Sequence, residues 1–256
     1  MRTATLTGED KAHSAQRQAN ARLAGAAYLL TIIAGMFAEV YARATLRVPS
    51  DPRATAANIV AGETLYRFSI FADLTMLASY VVVTALLYQT FKGAGRALSL
   101  TAALFSVIGI ALLAAATGLL AAPLILVGDA GYLSAFPGEQ REVLAYVMLR
   151  MHGEFYSYTG FFFGLYCLSI GSLALRSRDL PRPVGWLMVL AGATFLVDTT
   201  LELVAPSIAR QVPDIVLIIS LLGEGTFAIW LTLFGIGRPS LMTSTAETPS
   251  ADEVSE

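Results

Sequence analysis

VGWLMVLAGATFLVDTTLELV, residues 184–204, decides how this chain folds. At a rise of about 1.5 Å per residue it is long enough to cross an apolar layer about 30 Å thick. It is uncharged until Asp198 and Glu202, which stand four apart on one helix face. The same pattern recurs along the chain, with Glu39, Asp73 and Glu224 set inside other apolar runs and Arg67, His152 and Glu154 at run edges. A carboxylate at the bilayer centre costs roughly 2.5–3.5 kcal/mol, so the five buried acids facing lipid would cost about 12–17 kcal/mol, comparable to the stability of a whole domain. They must therefore face a protein interior, where they are paired, protonated or hydrated.

Working outward from that stretch, six runs meet the length of about 20 apolar residues that a span needs: Leu23–Tyr41, Leu65–Phe91, Leu98–Val127, Tyr146–Leu175, Val184–Val204 and Ile215–Ile236. The whole composition agrees. Hydrophobic residues make up 55% of the chain and charged ones 14%, with a mean hydropathy of +0.64; a soluble domain carries about a quarter charged residues. The reading is an all-α polytopic membrane helix bundle. It has a polar tail over residues 1–20, a six-span domain over 21–237 and a disordered acidic tail over 238–256. The net charge of −2 points away from nucleic acid. The single cysteine, Cys167, excludes an intrachain disulfide and reads as a small buried hydrophobe. The first apolar run is longer than a signal-peptide core and is read as an uncleaved span.

Short-loop charge orients the bundle. Arg2, Lys11, Arg17, Arg22, Lys92, Arg96, Arg176, Arg178, Arg182 and Arg238 fall on one side, against Arg43, Arg47, Arg53, Arg141 and Arg210, mostly in longer loops, on the other; the first side is read as the cytoplasm and holds both termini. The connections on the other side carry local structure. Ser50-Asp51-Pro52 combines a capping residue with proline at the first helical position, so a short helix is expected over Ala54–Gly62. Gly128–Gly138 reads as a loop, with an amphipathic segment starting near Gly138, and Pro123 ends or kinks the third span. Trp186 and Trp230 fall where an inner aromatic belt belongs. Each outward-going span starts just after Arg22, Arg96 or Arg182, followed by Gly25, Ser99 or Gly185; positive-inside anchoring and close helix contact account for this without a repeat.

Helical rise converts position into depth. Asp73 lies roughly 12 Å below the outer end of its span, and Asp198 roughly 18 Å above Trp186, with Glu224 at a similar level. Glu39 is in the outer third, and Arg67, His152, Glu154 and Glu202 lie near the outer mouth. The inner third holds none of these groups. The expected site is therefore an outward-facing polar pocket of Glu39, Arg67, Asp73, His152, Glu154, Asp198, Glu202 and Glu224. Glu39 with Arg43 and Arg150 with Glu154 have the four-residue spacing of local pairs at the water boundary. Asp73, Asp198 and Glu224 have no cation within a turn, so their partners come from other helices or they are protonated.

The chemistry that this pattern supports is binding of a small polar or cationic ligand, with proton coupling through Asp73, Asp198 or Glu224. A structural network acting through partners is the alternative, and a metal-assisted membrane enzyme the third reading. Metal has little to stand on: His152 and Glu154, two apart on a helix, point to nearly opposite sides, and the only other histidine is His13. Nucleophile elbows, phosphate loops and dinucleotide-binding glycines are absent, so no cofactor is expected.

Several stretches resemble those of a known family. Ala34-Gly35-Met36-Phe37-Ala38-Glu39, Leu65-Tyr66-Arg67 followed by Ala72-Asp73, and Gly164-Leu165-Tyr166-Cys167-Leu168 are among them. So are Leu180-Pro181-Arg182 leading to Leu196-Val197-Asp198, and Gly223-Glu224. In order and spacing they are similar to bacterial membrane proteins catalogued as domain of unknown function 4386, over about Arg22 to Gly237. The resemblance implies a six-span protein of the bacterial cytoplasmic membrane, partnered by the lipid bilayer. It implies no catalytic residue, substrate or cofactor.

Overall fold

The computed structural model describes residues 8–177, 179–209, 211 and 215–237. The acidic tail over 238–256, the first seven residues, and Arg178 and Arg210 of the loop-charge tally lie outside the described residues.

The first helix, α1 (Gly8–Gly35), begins well ahead of its apolar part. It passes without a break into a π-helical segment, Met36–Arg43, and a final turn, α2 (Ala44–Leu46). The local sequence explains the change of pitch. Ala34, Ala38, Ala42 and Leu46 are all buried, at every fourth position. An α-helix advances about 40° beyond a full turn over each such step, so three steps would carry the last residue about 120° off the face. The wider π turn keeps all four on the buried side.

The connection that follows folds as α3 (Pro52–Ala61), capped by Asp51, whose Oδ1 accepts a hydrogen bond from Ala54 N at 2.9 Å. The helix expected over Ala54–Gly62 thus starts two residues earlier, because Pro52 occupies its first turn. Next come α4 (Glu63–Phe91), α5 (Arg96–Leu119) and α6 (Ala121–Leu126). α5 breaks at Leu120, and Pro123, which has no N–H to give, sits within the short α6 that continues the run. The Gly128–Gly138 connection contains a 3-10 turn at Gly131–Ala135. The amphipathic segment expected from Gly138 is the start of one continuous helix, α7 (Gly138–Ser177). The chain closes with α8 (Arg182–Val204), the short α9 (Pro206–Ala209) and α10 (Ile215–Phe234).

Five helical stretches are long and apolar enough to cross a membrane: Ser14–Leu46, Glu63–Phe91, Arg96–Leu126, Gly138–Ser177 and Arg182–Val204. The sixth, Ile218–Phe234, is apolar but shorter. The six long helices form a ring in which α1 packs on α4, α4 on α5, α5 on α7, α7 on α8, α8 on α10, and α10 back on α1. Glycines set the closest approaches. A Cβ on Gly164 of α7 would stand 2.9 Å from the Gly192 carbonyl oxygen of α8, and one on Gly192 would stand 2.7 Å from that of Gly164. Between helices in lipid, where burial of apolar surface gives no advantage over contact with acyl chains, such backbone approach supplies the packing.

The two ends of the ring differ. At the end where α1 begins and α10 finishes, Leu87, Phe91, Ile170, Leu173, Met188, Phe227 and Leu231 are each no more than 1% exposed and fill the interior. The same end is tied from outside. Gln18 Nε2 donates to Phe234 O (2.7 Å), Ile236 N donates to Gln18 Oε1 (2.8 Å), and Arg17 reaches Asp179 at 3.3 Å. At the opposite end α3 covers a second apolar cluster of Leu46, Ile59, Tyr66, Leu120 and Leu149. Between these two cores the interior becomes polar.

Candidate functional site

The polar interior starts at Arg43. Its side chain is 6% exposed and makes three charge-assisted hydrogen bonds. Nη1 and Nη2 grip Asp73 of α4 in a fork at 2.6 and 3.0 Å, and Nε donates to Glu39 Oε2 at 2.7 Å. The fork matches the planar guanidinium to the planar carboxylate, the geometry in which a buried pair best offsets its desolvation. The Glu39–Arg43 pair expected at the water boundary forms, with Arg43 buried and Glu39 32% exposed, and it extends inward to Asp73. Asp73 finds its partner on another helix, as its lack of a near cation requires.

His152 completes this cluster from α7. It is 2% exposed, its Nδ1 is 3.0 Å from the Ala116 carbonyl oxygen of α5, and its Nε2 is 3.5 Å from Glu39 Oε2. Tyr66, beside the cluster, donates its hydroxyl to Leu120 O at 2.9 Å. Four helices thus meet on one small set of charges.

Glu39 also faces the other way, into a cavity of about 470 Å³ lined by α1 and its π segment, α7, α8 and α10, with Met76 and Tyr80 of α4 and Leu113 of α5. Four carboxylates line it: Glu39, Asp198, Glu202 and Glu224. Among the described residues no arginine, lysine or histidine does. Glu224 accepts hydrogen bonds from Tyr28 Oη at 2.7 Å and Cys167 Sγ at 3.3 Å, both neutral donors. Aromatic rings complete the wall: Tyr28, Tyr80, Tyr156, Phe163 and Phe195. Tyr80 and Phe163 stack with centroids 4.7 Å apart. The Ser220 hydroxyl, 4% exposed, lines the cavity without a hydrogen-bond partner among the described residues.

The eight residues expected in one pocket divide into three groups. Glu39, Asp198, Glu202 and Glu224 share the cavity. Asp73 and His152 stand behind Glu39, in the Arg43 cluster. Arg67 and Glu154 line neither the cavity nor the Arg43 cluster. Arg67 Nε pairs with Glu63 at 2.7 Å and Arg150 with Glu154 at 3.2 Å, all four side chains more than half exposed. Each pair satisfies itself one turn apart on the outer surface, so neither group is drawn inward. Cys167 is buried as expected, but as a donor to Glu224 rather than a mere hydrophobe.

Sequence reasoning paired Arg43 with Glu39 but missed its fork on Asp73, and it missed Tyr28 and Tyr156 altogether. The signal for Arg43 was present: it directly follows Ala42 in the every-fourth-residue series that forces the π turn. The tyrosines carried no comparable signal, since a tyrosine in a span reads equally well as belt or core. Among the described residues no three His, Cys, Asp or Glu side chains gather as metal ligands would, so nothing in this geometry favours the metal-assisted reading.

A family model described as "Domain of unknown function (DUF4386)" matches residues 23–235, nearly the whole chain outside its tails. No curated protein and no solved structure matches. The chain belongs to this family, and it is an all-α, multi-pass membrane protein.

Proposed function

We propose that this member of the DUF4386 family binds a small organic cation in the cavity that Glu39, Asp198, Glu202 and Glu224 line. The observation that carries the reading is Glu224. It is an acid deep in the bundle whose two hydrogen-bond partners, Tyr28 and Cys167, are neutral, in a wall shared with three other carboxylates and five aromatic rings. Aromatic faces and carboxylates together suit a cation, the faces through their quadrupole and the acids through their charge. A volume of about 470 Å³ suits a drug-sized or smaller molecule. Asp73, held in the Arg43 fork, is removed from the set of coupling acids.

The membrane is read as the bacterial cytoplasmic membrane, with both termini inside and the cavity toward the outer side. Arg17, Lys92, Arg96, Arg176 and Arg182 at the terminal end support that orientation, as does the filled apolar core there. A second reading, a structural network that fixes helix register, is favoured for the Arg43–Asp73 fork alone, which is buried and already satisfied.

The experiment is calorimetric titration of the detergent-purified protein with benzyltrimethylammonium, against its uncharged carbon counterpart neopentylbenzene. Binding of the cation and not of the neutral compound is expected, with at least tenfold loss in Glu224→Gln and in Asp198→Asn while both variants stay folded. Undiminished binding in both variants would remove the proposal.

A further inference from the structure

We propose that one proton resides between His152 and Glu39, and that it leaves to water when a cation occupies the cavity. The exchange rests on the cavity reading above; the proton site does not.

The site follows from hydrogen-bonding capacity. The Ala116 carbonyl can only accept, so the Nδ1 of His152, 3.0 Å away, carries a hydrogen and donates it. Nε2 therefore holds either a lone pair or a second hydrogen. It is buried with no hydrogen-bond partner among the described residues, and it meets the charged Glu39 Oε2 at 3.5 Å. A lone pair facing a carboxylate at that distance is repulsive. A proton between them turns the contact into an ion pair.

The charge count agrees. Arg43 brings one positive charge, while Asp73 and Glu39 bring two negative ones. With Asp73 buried, Glu39 about a third exposed and Arg47 only at the rim of the adjoining void, Arg43, Asp73 and Glu39 leave one negative charge beside the imidazole, which a proton on His152 balances. The groups that face this imidazole come from each neighbouring element. They are Glu39 and Arg43 from the π segment, Asp73 and Tyr66 from α4, and Tyr156 from α7 itself, its ring 6.0 Å away. Arg47, just past α2, lines the same small void.

Exchange follows because Glu39 belongs to both the cluster and the cavity wall. A cation beside its carboxylate supplies the same charge as the proton on His152. The two positive charges share Glu39 and repel each other in a medium of low dielectric, so each weakens the other by the same factor. The competing arrangement is a neutral His152 with one water in the adjacent void of about 10 Å³, which is at the lower limit for a single molecule.

His152 and His13 are the two histidines of the chain. Full-length His13→Ala protein, labelled with nitrogen-15 histidine, therefore reports His152 alone in the imidazole spectrum. At pH 7 both ring nitrogens should be protonated, and Glu39→Gln in the same background should return the neutral Nδ1–H tautomer. A neutral ring in the protein with Glu39 intact overturns the proton site. For the exchange, titration of weakly buffered protein with benzyltrimethylammonium should release one proton per bound cation, and its apparent Kd should weaken about tenfold per unit fall in pH where the ring is charged. Release of no proton, a pH-independent Kd or absence of binding each overturns the exchange, and only the last also counts against the cavity reading.

Discussion

Arg43 and Arg67 show how much a residue's surroundings decide. Both are arginines with an acid four residues earlier in the chain, yet one is buried in a fork on Asp73 and the other pairs with Glu63 in the open. Replacing Arg43 by methionine strands Asp73 in the interior and should cost about 3–5 kcal/mol, since removing one partner leaves an uncompensated buried charge. Chemical denaturation in detergent measures this. Replacing both partners, Arg43→Met with Asp73→Leu, should recover most of the loss, because two apolar side chains of similar volume demand no charge solvation. By contrast Arg67→Ala and Glu154→Ala break exposed pairs and should each change stability by less than about 1 kcal/mol in the same assay. If Arg67→Ala proved as damaging as Arg43→Met, the division of the acids into buried and surface sets would be wrong.

At the level of helices, the α7–α8 contact is set by backbone approach, with Gly164 and Gly192 apposed and Gly160 against the Thr199 side chain. Gly192→Leu cannot be absorbed by rotamer change, because the obstacle is the Gly164 carbonyl. It should lower the melting temperature sharply and shrink the cavity whose wall these helices share. Gly118→Ala, where nothing among the described residues lies within 4 Å, is the control and should leave melting unchanged or slightly raised. The π segment belongs to this scale too. Its function is rotational: it holds Ala38, Ala42 and Arg43 on the buried side while Glu39 reaches the cavity.

For the whole molecule, the ring has one filled end and one polar end, and orientation in the membrane decides which side the cavity serves. In a Cys167→Ala background, Ser134→Cys should react with a membrane-impermeant maleimide on intact cells, and Gly93→Cys only after the cells are opened. The reverse pattern would invert the bundle and place the cavity toward the cytoplasm. Closure of the ring by α10 on α1, reinforced by Gln18 at the end of α10, predicts that Gln18→Ala loosens the terminal end. Faster hydrogen exchange at Phe234 and its neighbours is the expected sign.

Much of this was legible in the chain itself. Runs such as Val184–Val204 determine spans because hydrocarbon forces every backbone group to pair within its own helix, a local requirement that composition and length reveal. The cost of charge in lipid likewise determined that Asp73, Asp198 and Glu224 face inward, whatever the fold. Their partners were not legible. Asp73 meets Arg43 across thirty residues of chain, and Glu224 meets Tyr28 across nearly two hundred. Such pairings depend on the rotation of each helix about its axis, which glycine contacts and one π turn set. Only the tertiary structure could separate Arg43 from Arg67, because depth along a helix follows from counting residues whereas azimuth around the bundle follows from packing.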